Sequence, residues 1–212
     1  MKILMLVNWK VLSCKETPND KQPPDYRVEG EPYWFYRYFN QKDDVDIIDI
    51  SSVSWLENFE REKLRFYVLQ ALKAIPKLHK YDLIVSHGMQ SAVVVCLYRR
   101  FFRGKEKHIV FDIGSFNSAA ESGSALKLMQ FASRSIDGLI YHTSAQHAYY
   151  EKFFPWLVEK SQFVRFGTDG VFWKKETDSK EEMKDAAAVE NSSVPYILCV
   201  GYIKRDWDTL YR

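Results

Sequence analysis

The chain has 212 residues, of which 46% are hydrophobic and 16% aromatic, enough for one domain with a full core and some additional sequence. Its 30 lysines and arginines nearly balance 28 aspartates and glutamates, which argues against nucleic acid or a highly charged substrate as partner. The three cysteines, Cys14, Cys96 and Cys199, are far apart. Their spacing argues against a disulfide framework and against a zinc site, and it fits a reducing cytoplasm.

Strand-length apolar runs alternate with helical patterns along residues 1–173. None of these runs approaches the roughly 20 residues of a membrane span, and residues 1–7 fit a first strand better than a signal peptide. Strands are predicted at 3–7, 45–50 (near a sheet edge), 83–85, 109–111, 139–141 and 163–164. Helices are predicted at 32–39, 55–78, 91–102, 118–135 and 144–154. The helix over 55–78 is expected to bury Leu64, Val68, Leu72 and Ile75, and to end or kink at Pro76.

This alternation predicts an α/β domain with a doubly wound, mostly parallel, Rossmann-like sheet. Ligands bind such sheets beyond the carboxyl ends of the strands, near the point where the strand order reverses. The residues that directly follow the predicted strands are therefore the candidate site residues: Asn8, His87, Gly88, Asp112, Gly114, Ser115, His142, Thr143, Arg165 and Gly167.

The composition changes after residue 173. Residues 174–194 have almost no large apolar side chains and predict a solvated linker. Residues 195–201 then fit another buried strand, and 208–210 fit the start of a helix. Because one strand and one helical turn do not make a domain, residues 195–212 are expected to be the beginning of a truncated second domain.

Two segments carry a family resemblance. Residues 163–172, Phe-Val-Arg-Phe-Gly-Thr-Asp-Gly-Val-Phe, resemble the end of the N-terminal domain in glycosyltransferase family 4. Residues 196–201 resemble the opening strand of that family's C-terminal domain, and 208–210 the helix start after it. The matches occur in the family's order with a linker between them. Phe166 departs from the family's usual Asn, and the loop after the first strand lacks the Gly-Gly pair that is common there.

The resemblance implies a GT-B architecture, in which two Rossmann-like domains face each other across a cleft. It implies a retaining transfer of a hexosyl group from a nucleotide-sugar donor to a sugar or lipid-linked acceptor, without metal or cofactor, in cell-envelope polysaccharide synthesis. The N-terminal domain would hold the acceptor. The donor would be held by the C-terminal domain, whose paired-glutamate motif this sequence does not include, so the fragment alone is expected to be inactive. Gly167, Asp169 and Arg205 would contact substrate, Arg205 through the diphosphate.

For sugar transfer, each candidate has a functional and a structural interpretation. His87 would bond a sugar hydroxyl or cap the next helix, and Asp112 would take the acceptor's proton or serve as an N-cap. Ser115 would bind sugar or phosphate through backbone N–H groups or cap a helix. Thr143 would cap a helix or touch the donor, and Arg165 would meet a phosphate or lie on the surface.

Two further segments suggest contacts. The long, polar loop 10–30 predicts a mobile flap on the acceptor side. Residues 98–105 mix aromatic and basic side chains, which fits either a peripheral contact with the inner membrane face or a buried helix with a solvated basic end.

Two other functions compete with glycosyl transfer. One is a non-catalytic, Rossmann-like binding or regulatory protein. The other is a dinucleotide oxidoreductase, which needs a Gly-x-Gly-x-x-Gly turn after the first strand. Asn8, Trp9 and Lys10 stand there instead, which argues strongly against it.

Overall fold

Six strands of this protein form one parallel sheet. The computed structural model describes residues 1–21, 23–37, 43–64, 66–102, 104–114 and 121–165. Its strands are β1 (Lys2–Leu6), β2 (Leu12–Cys14), β3 (Tyr26–Val28), β4 (Asp44–Ile48), β5 (Leu83–His87), β6 (Lys107–Asp112), β7 (Gly138–Tyr141) and β8 (Ser161–Phe163). The large sheet has the order β4-β1-β5-β6-β7-β8, while β2 and β3 pair only with each other among the described strands.

The predicted doubly wound sheet is thereby confirmed, because every neighbouring pair in the large sheet is parallel. Residues Ile3 to Val7 are buried on both faces, as their continuous apolar run predicts for a central strand. The strand predicted near the edge is β4, which is an edge strand.

Helices connect the strands, and most are shorter than predicted. They are α1 (Ser54–Phe59), α2 (Val68–Ala74), α3 (Met89–Phe101), α4 (Ser124–Ser133), α5 (Ser144–Phe153) and α6 (Pro155–Val158). Single turns of other helix types occur at Trp34–Tyr36, Glu60–Leu64 and Ile75–Lys80. The helix predicted over 32–39 is thus reduced, within the described residues, to one 3-10 turn.

The single helix predicted over 55–78 is divided into several pieces. As expected, the α-helical geometry ends near Pro76: α2 stops at Ala74 and the chain continues as a 3-10 helix, because proline has no N–H to donate. The predicted buried face is wrong at Leu64 and Leu72, which are 37% and 57% exposed, whereas Ile75 packs against the core as predicted. Gln70 is buried instead, and its amide donates to the carbonyl oxygens of Val7 (2.7 Å) and Ile48 (2.8 Å). These two bonds fix the rotation of α2 and turn Leu72 outward.

The two faces of the sheet are covered in different ways. Leu4 and Leu6 pack against α2 and α3, whereas Ile3, Met5 and Val7 point to the opposite face, as alternation along a strand requires. That opposite face is covered by aromatic residues of the segment after β1: Trp9, Tyr33, Phe35 and Tyr36. An aromatic loop therefore occupies the place where a crossover helix is usual.

Several predicted features lie outside the described residues: Ser115, Gly167, Asp169, Arg205, Cys199, the linker 174–194 and the strand after it. Cys96 is buried, as its apolar surroundings predict. No helix among the described residues combines the length and hydrophobicity needed to cross a bilayer.

Candidate functional site

The strand order of the sheet reverses between β1 and β5. From β1 the chain moves outward to β4 on one side and then returns to β5 on the other. Ligand crevices in open α/β sheets form at such a point, beyond the carboxyl ends of the strands. Asn8 follows β1 and His87 ends β5, and Nδ1 of His87 lies 3.2 Å from Oδ1 of Asn8. The structure therefore brings two of the predicted site residues together at the switch point.

The contact with Asn8 determines which ring nitrogen of His87 carries the proton. An amide oxygen only accepts hydrogen bonds, so Nδ1 of His87 is the donor in this pair. In a neutral imidazole the other nitrogen, Nε2, then carries the lone pair. Nε2 of His87 is therefore the ring nitrogen that can accept a hydrogen bond.

Aromatic rings surround His87. The ring centroid of Trp9 is 4.5 Å from that of His87, and Phe35 (5.9 Å) and Phe111 (6.5 Å) follow. This burial, together with the nearby His142, lowers the pKa of His87 to about 4. The imidazole is therefore neutral at physiological pH, as an acceptor of hydrogen bonds must be.

Gly88 permits the sharp turn from β5 into α3. Its φ is +85°, and a Cβ atom there would come within 2.9 Å of Oε1 of Gln90 and 3.4 Å of Nδ2 of Asn8. Its N–H donates to the carbonyl oxygen of Phe111 at 2.8 Å. Only glycine fits this conformation without strain, and the turn places the N-terminus of α3 at the same edge of the sheet as His87.

Asp112 ends β6, as predicted, but its side chain is directed into the protein. It is 0% exposed, and its carboxylate accepts from the N–H of Gly114 and from the hydroxyl of Tyr150. Its carbonyl oxygen accepts from Nε2 of Gln146 at 2.7 Å. The role of Asp112 in proton transfer stays a prediction. The geometry favours an anchoring role instead, because a carboxylate without exposed surface does not reach a substrate.

Thr143 follows β7 and caps α5. Its Oγ1 accepts from the N–H of Gln146 at 3.3 Å, and its own N–H donates to Oε1 of Gln146 at 2.9 Å. Gly114 adopts a φ of +100°, and Arg165 lies two residues beyond β8 and is exposed. Substrate contacts of these three residues stay predictions.

Sequence reasoning missed the residues that shape the surroundings of His87. Trp9 and Phe35 belong to the loop that covers the sheet, and nothing in their local pattern shows that they turn toward β5. His142 stands among the strand-end residues, but the sequence assigns it no role. Its Nδ1 donates to the carbonyl oxygen of Val164 at 2.6 Å.

The part of the chain that the structure describes contains no cluster of metal ligands. No group of three or more His, Cys, Asp or Glu side chains there could hold an ion.

Two buried histidines predict a pH-dependent stability. His108 is fully buried against Ser86 Oγ (2.8 Å) and Cys96 Sγ (3.6 Å). Burial, and secondarily the charge of Arg99, lower its pKa to about 3. Below pH 6.5 both histidines become protonated in the unfolded chain, whereas in the folded chain His87 and His108 stay neutral because their pKa values are lower. The free energy of unfolding should therefore fall as the pH drops from 6.5 toward 4, by up to about 1.4 kcal/mol per pH unit for each histidine.

Urea denaturation at pH 6.5, 5.5 and 4.5 measures this slope. The slope of stability against pH should be about half as steep in His108→Gln. It should be unchanged in His79→Gln, which alters an exposed position. Equal slopes in the wild type and in His108→Gln would contradict the assignment.

Comparison with known proteins supports the fold. No protein-family model matches the sequence, and no curated protein matches it either. Crystal structures of HepE from Anabaena in complex with UDP and with UDP-glucose both give a TM-score of 0.51 at 14% identity. The complex with UDP and glucose gives 0.50 at 14% identity. Each match covers 90% of this chain and 50–51% of the HepE chain. The chain thus spans about half the length of a protein whose fold it shares.

Proposed function

We propose that this chain forms the acceptor-side lobe of a nucleotide-sugar-dependent glycosyltransferase, with His87 receiving the acceptor hydroxyl. The observation that carries the proposal is the neutral His87, oriented by Asn8 at the switch point of a parallel sheet. The shared fold with HepE, which was crystallised with UDP-glucose, and the resemblance to glycosyltransferase family 4 support the same function.

In the proposed reaction the acceptor hydroxyl donates a hydrogen bond to Nε2 of His87. Its oxygen forms a bond to the anomeric carbon on the face from which the phosphate leaves, and the bond from that carbon to the phosphate oxygen breaks. The nucleoside diphosphate leaves with the electron pair, and the hydroxyl proton passes to Nε2 of His87. Burial lowers the pKa of His87 to about 4, so the neutral imidazole can accept the hydrogen bond that orients the hydroxyl. An anionic diphosphate bound nearby would raise this pKa and make the imidazole a better proton acceptor.

The proposed donor end of the crevice is electropositive. The N-terminus of α3, which begins at Met89 directly after Gly88, places the positive end of the helix dipole at this edge. Arg165 is exposed beyond β8 and would pair with a phosphate. Both features suit a diphosphate group that leaves as an anion.

A second Rossmann-like lobe, in the GT-B arrangement, would complete the site. We propose that residues 174–194 link the two lobes, that 195–212 begin the second, and that Gly167, Asp169 and Arg205 contact the donor. The hexosyl group would pass to a sugar or lipid-linked acceptor with retention of configuration, in cell-envelope polysaccharide synthesis. The 212-residue chain alone would then show negligible transfer.

The test is UDP release from a panel of UDP-hexoses by the complete gene product that contains this chain, with and without mono- and disaccharide acceptors. Acceptor-dependent release is expected, with a product whose anomeric proton coupling matches that of the donor. The competing function, a non-catalytic binding protein, predicts sugar-nucleotide binding without turnover. That outcome would refute the transferase.

We also propose a peripheral contact with the cytoplasmic face of an anionic membrane. Phe101 and Phe102, at the end of α3, are 72% and 63% exposed. The guanidinium of Arg100 lies 4.9 Å above the ring of Phe131 on α4, and α4 contains no acidic residue. Exposed aromatic rings beside cations suit the headgroup region of a bilayer. This face is about 20 Å from Gly88 along α3, so it would anchor the domain and leave the crevice open.

Co-sedimentation with vesicles containing phosphatidylglycerol measures this contact. We expect binding at low salt that the double substitution of Phe101 and Phe102 by serine reduces at least fivefold. Equal sedimentation with neutral phosphatidylcholine vesicles, or none with either, would rule the contact out.

A further inference from the structure

Two adjoining cavities lie beside the aromatic loop. The first lies between the β2–β3 pair and β4, and the second lies between β3 and residues 31–37 of the loop. Their volumes are about 300 and 260 Å³. Both are lined by Arg27, Val28, Glu31 and Tyr33, and Tyr26 and Trp34 line the second one as well. They are at the lower end of the size range of small-molecule sites, and each has room for about one sugar ring.

Polar groups without protein partners surround these cavities. The carboxylate of Glu31 has no hydrogen bond or ion pair with any described residue. Among the described residues, the guanidinium of Arg27 bonds one side chain, with its Nε donating to Oγ of Ser13 at 3.0 Å. Nε1 of Trp34 is buried without an acceptor among the protein atoms. A buried donor left unsatisfied is costly, and Trp34 lines the second cavity.

The lining selects an uncharged ligand rich in hydroxyl groups. The charged residues around the two cavities are Arg27, Arg37, Glu29 and Glu31, so their charges cancel and favour neither a phosphate nor a polyanion. Guanidinium groups donate and carboxylates accept, whereas each hydroxyl of a sugar does both. The rings of Tyr26, Tyr33 and Trp34 add apolar surface for the C–H groups of a pyranose.

We propose that the two cavities form a subsite for uncharged sugar units of the acceptor, an inference that rests on the proposed function. Tyr33 connects this subsite to the reacting position: its hydroxyl accepts from Nε1 of Trp9 at 3.2 Å. The ring of Trp9 in turn packs against His87, with centroids 4.5 Å apart. The acceptor is therefore a neutral oligosaccharide of at least two units, with its terminal hydroxyl at His87 and its preceding units beside Tyr33.

Saturation-transfer NMR on the 212-residue chain tests the subsite. The probes are neutral methyl hexosides and disaccharides, compared with glucuronate and inorganic phosphate. We expect saturation transfer to at least one neutral saccharide, and a stronger signal for a disaccharide than for its monosaccharide. Glu31→Gln, Arg27→Gln and Trp34→Phe should each reduce the signal at least threefold. Glu159→Gln and Lys77→Met, which remove matched charges from exposed positions elsewhere, should not change it.

The subsite and the proposed function can fail separately. The three subsite substitutions are measured by the saccharide signal of the chain, whereas His87→Gln is measured by turnover in the complete protein, which it should lower by at least about 100-fold. Three results would each overturn the subsite. They are sugar binding that survives all three subsite substitutions, preferential binding of glucuronate or phosphate, and the absence of saturation transfer to any neutral saccharide. If the complete protein binds saccharides but never releases UDP, the subsite proposal stands and the transferase function is rejected.

Discussion

His87→Gln is expected to lower the kcat of glycosyl transfer by about 10²- to 10⁴-fold, the usual contribution of a positioned acid–base group. Glutamine is close to histidine in size and can still accept a hydrogen bond, but it cannot take up a proton. Because His87 is neutral in the folded protein near pH 7, its replacement removes no ion pair and should leave the thermal midpoint within a few degrees. Initial rates of UDP release by the complete gene product measure the effect.

A second substitution separates chemistry from packing. Asn8→Asp places a carboxylate beside Nδ1 of His87, at the 3.2 Å contact, and should raise the pKa of His87. The neutral imidazole would then be lost at a higher pH, so the acid limb of the rate profile should move toward neutrality. His79→Gln, at an exposed position, serves as the control. Loss of less than half the activity in His87→Gln, or an unmoved acid limb in Asn8→Asp, would remove His87 from the reaction.

The second large effect is expected at Arg99, which is 4% exposed and ties the end of α3 to the strands beside it. Its Nη1 donates to the carbonyl oxygen of Ser135 at 2.6 Å, and its Nη2 donates to the carbonyl oxygen of Glu106 and to Oδ2 of Asp137. Asp137 Oδ2 also accepts from the N–H of His108. Burial alone would raise the pKa of Asp137, but the hydrogen bond from His108 and the guanidinium of Arg99 lower it.

Arg99→Met should therefore destabilise the chain by about 3–5 kcal/mol, because it leaves the buried carboxylate of Glu106 without its cation. The double variant Arg99→Met, Glu106→Gln should recover part of the loss, since no buried charge is then left unpaired. Lys105→Met, six residues on and exposed, should change the stability by less than about 0.5 kcal/mol. Urea denaturation of the 212-residue chain measures all three. A loss below 1 kcal/mol in Arg99→Met would show that this network does not hold the fold.

The sheet was predictable from the sequence because its signal is local. The run from Ile3 to Val7 is apolar on both faces, and the partial alternation of β4 indicates an edge. The buried face of α2 was not predictable, because hydrogen bonds from Gln70 to carbonyls 63 and 22 residues away determine it. The β2–β3 pair and the aromatic cover of the sheet also depend on contacts that no short window of sequence contains.

The candidate site was likewise predictable only in part. The rule that ligands lie beyond strand ends places Asn8, His87 and Gly88 correctly at the carboxyl edge. It does not reveal side-chain direction, and Asp112 turns inward because Tyr150, 38 residues later, offers its hydroxyl. The aromatic surroundings of His87 arise from Trp9 and Phe35, which meet only after the loop has folded over the sheet.

A crystal structure of the complete gene product with UDP-glucose tests the central claim most directly. If His87 receives the acceptor hydroxyl, the anomeric carbon should lie within about 6 Å of its Nε2, one hydrogen bond plus one near-attack distance. The diphosphate should then face the N-terminus of α3. A donor bound at the amino ends of the strands, or with its anomeric carbon more than about 10 Å from His87, would contradict the account.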